Sequence, residues 1–502
     1  MVDPLKDLRS YVSWLEDNDA LARIKEPLSP ILEIPTLLRQ VMYLKGPAVL
    51  IENVKGFEDW KVVGNLFPDL GVLASSLSVK GLEEIGMRLI NPLKSIPYTV
   101  SEKIKMVGQA TKFSSYLPKK VKKASFEEKV IESEPLSSIP FFKTWPKDGG
   151  RYGTFPIVVT KDSHNNVINM GVYRIQIISG RKAIIHWQIH KRGSMVFQDA
   201  LEKKIEKIPV AIVLGTDPGT MLTSVSPVPY PIDKALFAGI VRGKGIELYE
   251  LDNGIEVPAN SEVVIEGYVD TKELRKEGPF GDHFGYYNEP EEMYPVFTVT
   301  RLYMRENPLY YGSVTGLPPL EDAVLGKAIE RIFKPIISYI IPEVVEINYP
   351  VEGMFQGIVI VSIKKRYPGH AKKVMNALWG VGQSSLTKII VVVDYDINPH
   401  DISKVLWAIS SNVNPERDVL IIKGSHADAL DPSNVFHSYN SKMGIDATRK
   451  LPEENYGKKW PEMVREDENI IKRMREIAER IIQGKNLKNS NVQKPQPPGD
   501  NH

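Results

Sequence analysis

The chain contains no cysteine, which excludes disulfides, thiolate metal sites and a cysteine nucleophile. The absence suits an intracellular protein and a hot habitat, where oxidisable residues are disfavoured. Long apolar runs are missing as well. Stretches such as Ile389 to Val393 fall far short of the roughly 20 residues needed to cross a bilayer. The amino terminus carries acids and no apolar segment, so no secretory signal is read there and the expected location is the cytoplasm. Nor is one sign of charge in excess, since 64 Lys and Arg face 62 Asp and Glu. No broad positive field is available to hold nucleic acid, and Lys119 to Lys123 reads as solvated surface.

What is present is enough chain for several cores. At 502 residues, 42% hydrophobic and 25% charged, the composition is that of a soluble protein of two or three domains. Residues 1–115 read as a mixed α/β amino-terminal domain, with a helix over Leu5 to Glu16 and a strand at Ala48 to Glu52. Over 116–315 the pattern changes to short runs rich in Val, Ile and Tyr, separated by turn residues, which favours a largely antiparallel barrel or sandwich. Residues 316–455 alternate helix and strand, as in an α/β layer with parallel pairing. Ile470, Met474, Ile477 and Ile481 mark one face of a terminal helix within 456–484, a stripe suited to docking on this subunit or a partner. The segment 485–502 is poor in apolar residues and reads as disordered. The predicted class is therefore an α+β and α/β multidomain protein.

Chemistry concentrates in two places. Glu277 to Glu289 packs acids, a histidine and three glycines into one short loop, where Glu277 and Asp282 can be given different pKa values and different tasks. Upstream, Asn169 to Arg174 precedes the alternating run Ile185 to His190 and then Lys191 and Arg192. A strand there would place His186, Gln188 and His190 on one face and Ile185, Trp187 and Ile189 on the other. Asn169 and Arg174 would point to opposite sides of a regular strand. Both reach one site only if Gly171 marks a bulge or Asn169 precedes the strand.

Together with Leu8 to Glu16, Gly46 to Gly56, Ala238 to Gly243, Glu256 to Pro258, Thr315 to Pro319, Gly369 to Lys372 and Ser441 to Thr448, these segments resemble the UbiD-like decarboxylase family. The likeness runs nearly end to end. It implies a central split β-barrel related to flavin reductases, and prenylated FMN as the group that takes up the electron pair left by carbon dioxide. It also implies that Arg174 orients the substrate acid and pairs with Glu277, and that Asp282 donates the proton. Val172, Tyr173, Arg174, His186, Trp187, Gln188, Lys191 and Arg192 match cofactor-binding stretches. His283, Tyr286 and Tyr287 are neighbours that shape the pocket or simply pack, and His370 reads as a helix-start residue.

The family's divalent metal, Mn²⁺ or Mg²⁺, bridges to the flavin phosphate through an Asn, a His and a Glu, with K⁺ as a further candidate ion. Asn169 and His190 match the first two ligands, but the Glu position falls on Lys234 with Asp233 beside it. Two outcomes follow: Asp233 takes over as the third ligand, or the Lys234 ammonium neutralises the phosphate itself.

The implied substrate is an α,β-unsaturated or aromatic carboxylic acid. The cysteine-free, Lys- and Ile-rich chain leans to an archaeal source, and so to conversion of trans-anhydromevalonate 5-phosphate to isopentenyl phosphate. A polyprenyl-4-hydroxybenzoate decarboxylase of quinone biosynthesis is the alternative. A catalytically silent flavin-binding subunit and a plain FMN reductase are readings from other classes. Expected partners are a flavin prenyltransferase that supplies the cofactor and further copies of the chain, as a dimer or hexamer.

Overall fold

The computed structural model describes residues 2–94, 113–162, 165–189, 191–288, 292–436, 438–464 and 466–489. The chain divides into a large compact unit, Met1–Thr448, and a small one, Arg449–His502.

In the large unit the first helix, Leu8–Asp17, starts three residues later than periodicity alone suggests, because Asp7 caps it by accepting from the Ser10 amide at 2.8 Å. Leu8, Tyr11, Val12 and Leu15 form its buried face. The amino-terminal sheet orders Leu21–Ile24, Ala48–Ile51, Lys61–Gly64 and Leu309–Tyr311. Its fourth strand comes from the far side of the sequence, so the chain returns to its beginning after the central region is built.

The central region is a nine-stranded sheet, antiparallel at every pairing. Its long strands Lys207–Leu214, Val263–Lys276 and Met293–Met304 lie side by side. The sheet curls, and connectivity proves it. Ile168–Val172 lies at one edge and Ile175–Ile177 is second from the other edge, six places away. A flat sheet would set them ~29 Å apart, whereas the chain from Val172 to Ile175 spans at most ~11 Å. The two ends must meet, which makes a split half-barrel, and Tyr173 and Arg174 form the seam.

Two sequence expectations about this region are corrected. Ile168–Val172 pairs with Ile157–Lys161 in unbroken register, with Asn169 opposite Thr160, so Gly171 is no bulge and Asn169 lies inside the strand. Arg174 escapes the alternation because the strand ends at Val172. The second strand, Lys182–Ile185, also stops early. The Trp187 amide turns back to donate to the Ile185 carbonyl at 2.9 Å, and Ile189, expected on the core face, is 67% exposed.

The carboxy-terminal layer orders Val344–Asn348, Ile358–Ile363, Ile389–Asp394, Tyr439–Asp446 and Val419–His426. The inner pairs are parallel and the outer pairs antiparallel. Val359, Val361 and Ile363 face helix His370–Trp379, while Ile360 faces helix Ile402–Asn412, so both faces are covered and the strands read as continuous apolar runs. His370 opens its helix, with Nδ1 accepting from the Arg366 amide and Nε2 bonded to Glu343 at 2.8 Å.

In the small unit the terminal helix spans Glu468–Asn489, and so runs past residue 484 into the segment expected to be disordered. The rest of that segment, 490–502, lies outside the described residues.

Candidate active site

Arg174 sits on the seam and Glu277 leaves the end of the longest strand, Val263–Lys276. They meet in a two-toothed ion pair, Nε to Oε1 at 2.8 Å and Nη2 to Oε2 at 2.7 Å. The guanidinium lies over the Phe280 ring, 4.5 Å from its centroid, and reaches Asn288 Oδ1 at 3.4 Å. His186 Nδ1 is 2.8 Å from Glu277 Oε2. Since a carboxylate only accepts, that nitrogen carries the proton. The His186 ring rests against Tyr294 at 4.4 Å and its Nε2 has no hydrogen-bond partner.

These contacts set the charges. Glu277 is 1% exposed, and burial raises its carboxyl, but Arg174 and His186 outweigh burial and hold it at about 2. Burial lowers the His186 imidazole, and the Arg174 charge lowers it further, so the ring is neutral. Arg174 Nη1 makes no hydrogen bond among the described residues.

Asp282 follows the strand Phe280–Gly281, which pairs with Tyr287–Asn288 as a small hairpin. Its Oδ1 accepts from the Phe284 amide at 2.9 Å, and it is 2% exposed. Burial pushes its carboxyl up to about 7 against the pull of that amide and of Arg174, with the Asp428 charge adding to the rise. One acid is thus ionised and its neighbour protonated close to neutrality, the division of labour that proton-transfer chemistry needs. Asp428 comes from the carboxy-terminal layer, where the Gln356 amide donates to it. From the same layer Phe355 lies 6.1 Å from His283, ring to ring. Tyr286 and Tyr287 are exposed, and the Tyr287 hydroxyl accepts from the Lys147 amide.

Beside the acids opens a cavity of about 670 Å³, lined by Asn169, Val172, Tyr173, Lys191, Arg192 and Lys234, and by Thr315 and His426. Its size is that of an ordinary small-molecule site. Arg174, Glu277 and Asp282 are not among its lining residues, but two lining residues connect to them. Tyr173 joins it to Arg174, and Thr315, which donates to the Gly281 carbonyl at 2.8 Å, joins it to Asp282. The Tyr173 ring packs over Gly171, where a Cβ would stand 2.3 Å from Cε2, and its hydroxyl accepts from the Gly193 amide. Lys191 and Arg192 begin helix Arg192–Glu202. Trp187 instead packs in the core with Tyr173 and Phe197, and Gln188 is buried away from the cavity.

Of the expected metal set, Asn169 lines the cavity and Asp233 stands at a helix start. Asp233 caps helix Lys234–Arg242: its Oδ1 accepts from Ala235 and Leu236, and its Oδ2 from the Ile168 amide at 2.9 Å. Lys234 lines the cavity instead, its ammonium donating to the Ser224 carbonyl at 3.0 Å. Burial lowers it to about 7, and the charges of Arg192 and Lys191 lower it too. His190 lies outside the described residues. Among the described residues no group of three or more His, Cys, Asp or Glu could hold a metal ion.

Three family models match in chain order. They are the 3-octaprenyl-4-hydroxybenzoate carboxy-lyase N-terminal domain over residues 12–89, the Rift-related domain over 119–318, and the C-terminal domain over 323–447. The chain belongs to the UbiD carboxy-lyase family. A UbiD relative, an uncharacterized protein of Aeropyrum pernix, is 54% identical over 93% of this chain and 97% of its own. Vanillic acid decarboxylase of Sedimentibacter hydroxybenzoicus in its closed form superposes with a TM-score of 0.82 at 28% identity, covering 94% of this chain and 99% of that one. Its open form gives 0.74. The evolved dimeric form of the UbiD-class enzyme HmfF from Pelotomaculum thermopropionicum, in complex with prFMN, matches with a TM-score of 0.74 and 27% identity over 92% and 97%.

Sequence reading located the acids and the seam arginine. It did not find Tyr294, Asn288, Asp428 or His426. His426 closes the strand Val419–His426, and a histidine ending an apolar strand in an α/β layer was the available signal, because ligand groups gather at strand ends.

Proposed function

We propose that this chain catalyses the non-oxidative, reversible decarboxylation of an α,β-unsaturated or aromatic carboxylic acid with prenylated FMN as cofactor. The observation that carries the reading is the separation of Glu277, held at about 2, from Asp282, raised to about 7. The cavity size and its cations fit a flavin mononucleotide, whose phosphate Lys191, Arg192 and Lys234 would hold and whose ring Val172 and Tyr173 would contact. When bound, the prenylated ring supplies an electron sink that no side chain offers.

The chain's own residues supply the rest. Arg174, fixed by Glu277 through two nitrogens, presents Nη1 to the substrate carboxylate and so orients the bond to be broken. Glu277 keeps that guanidinium in place and stays ionised throughout. Asp282, protonated near neutrality, gives its proton to the substrate carbon once carbon dioxide has left, and takes one from that carbon in the carboxylation direction. Burial of both acids excludes the water that would protonate the carbon indiscriminately.

For the substrate we favour trans-anhydromevalonate 5-phosphate, giving isopentenyl phosphate. The cysteine-free composition supports this, as do relatives from Aeropyrum pernix and Archaeoglobus fulgidus. The vanillic acid decarboxylase likeness makes aromatic acids the comparison set. The test is co-expression with a flavin prenyltransferase, identification of the released flavin by mass, and carbon dioxide release across phosphorylated unsaturated and aromatic acids. Prenylated FMN without carbon dioxide release from any acid would favour the silent-subunit reading.

A further inference from the structure

Lys234 occupies a position that is costly for an empty protein. It is 6% exposed, and of its ammonium's three donors one is used among the described residues, for the Ser224 carbonyl. It opens helix Lys234–Arg242, the end at which a helix dipole disfavours a cation. The Ser224 carbonyl, in the last turn of helix Pro218–Val225, offsets that in part. The charged groups that act on Lys234 are Lys191 and Arg192, both cations. Arg192 directs Nη1 and Nη2 to the Ile232 and Pro229 carbonyls, while its Nε is buried without a partner. All three cations line the one cavity. Carboxylates act on two of them, Asp428 on Lys191 and Asp233 and Asp162 on Arg192, but only cations act on the buried Lys234, and a buried charge without an opposite partner is costly.

The neighbouring carboxylate of Asp233 is engaged as a helix cap, its Oδ1 accepting two backbone amides and its Oδ2 one, whereas Lys234 lines the cavity. We propose that Lys234 takes the place of a divalent cation in this chain: with Lys191 and Arg192 it holds the phosphate monoester of the flavin directly, and flavin binding requires no divalent metal. The inference rests on the flavin-dependent reading above and concerns how the cofactor's phosphate is neutralised. An ammonium with two free donors can give a phosphate two charge-assisted hydrogen bonds without demanding a coordination geometry. A phosphorylated substrate would offer the same chemistry, so the test must separate the two sources.

The protein, stripped of flavin and treated with EDTA, is titrated with FMN and with riboflavin by fluorescence quenching, in EDTA and again with Mn²⁺. FMN is expected to bind at least about tenfold more tightly than riboflavin, equally in both conditions. Lys234→Met should lose about that factor for FMN and none for riboflavin, so riboflavin binding also reports that the variant is folded. Lys234→Arg should retain the preference, and Lys234→Glu should make FMN binding depend on Mn²⁺. FMN binding by the unaltered chain that collapses in EDTA overturns the proposal without touching the decarboxylase reading. So does an unchanged FMN preference in Lys234→Met, including the case where that variant instead raises KM for a phosphorylated acid, which would assign the cations to the substrate. Failure to bind either flavin overturns both readings.

Discussion

Glu277 and Asp282 belong to one short buried segment, yet the first titrates at about 2 and the second at about 7. The difference comes from partners. Glu277 receives two guanidinium nitrogens and an imidazole, whereas Asp282 receives a single backbone amide. Burial acts on both, and only at the first is it offset by opposite charge.

Asp282→Asn removes the proton without removing the shape. It should lower turnover by at least ~10²-fold, the scale of general acid catalysis, while flavin content stays the same. Carbon dioxide release per bound flavin measures it, and retained turnover would sink the assignment of Asp282 as donor.

Decarboxylation needs Asp282 protonated, so kcat should fall as pH rises through about 7. Stability moves the same way, because the raised carboxyl binds its proton more firmly in the folded chain. Its contribution is fully present below the unfolded value of about 3.9 and is lost as pH rises through about 7. Glu277 acts oppositely: its contribution is present above the unfolded carboxylate range and is lost as pH falls toward about 2. A rate profile whose falling limb vanishes in Asp282→Asn, or an unaltered limb in that variant, decides the assignment.

Glu277→Gln leaves the Arg174 charge buried beside a neutral amide and should cost about 3–5 kcal/mol. A lowered midpoint of urea unfolding at unchanged m-value would register it. An unshifted midpoint would mean that Arg174 finds another anion.

Asp233→Ala removes a helix cap, at a cost of about 1–2 kcal/mol. FMN affinity and bound metal should not change. A loss of bound metal with this substitution would restore Asp233 as a ligand.

Gly171→Ala places a methyl 2.3 Å from the Tyr173 ring. The ring must leave the cavity wall, so flavin affinity should fall while the Arg174–Glu277 pair is kept. Crystals of the variant would show whether Tyr173 has moved.

Local chemistry was legible in the sequence, and non-local geometry was not. The acid loop announced itself because Glu, Asp, His and three glycines crowd the short stretch from Glu277 to Glu289, and the strands rich in Val and Ile announced the central sheet. The split barrel was expected from the family likeness, whereas pattern alone left barrel or sandwich open, because the curl depends on Ile168–Val172 and Ile175–Ile177 lying near opposite ends of an order set by strands roughly a hundred residues away. The early end of Lys182–Ile185 was hidden for a related reason: the apolar alternation continues through Ile189, and only the turn at Trp187 breaks it. Asp428 joins the site from a layer distant in sequence, with no motif around it. Lys234 was visible as a departure from the family pattern, but its burial and its cationic neighbours were not.

The seam at Tyr173 and Arg174 also makes completion of the candidate site a late event in the folding of the chain. Until the Val263–Lys276 strand has paired and the sheet has curled, Arg174 has no Glu277 to meet and Val172 and Tyr173 form no wall. These contacts span about a hundred residues, the kind that form slowly. On the flavin-dependent reading, a copy whose sheet has not curled lacks the Val172 and Tyr173 wall, and a bound flavin would report that the barrel has closed.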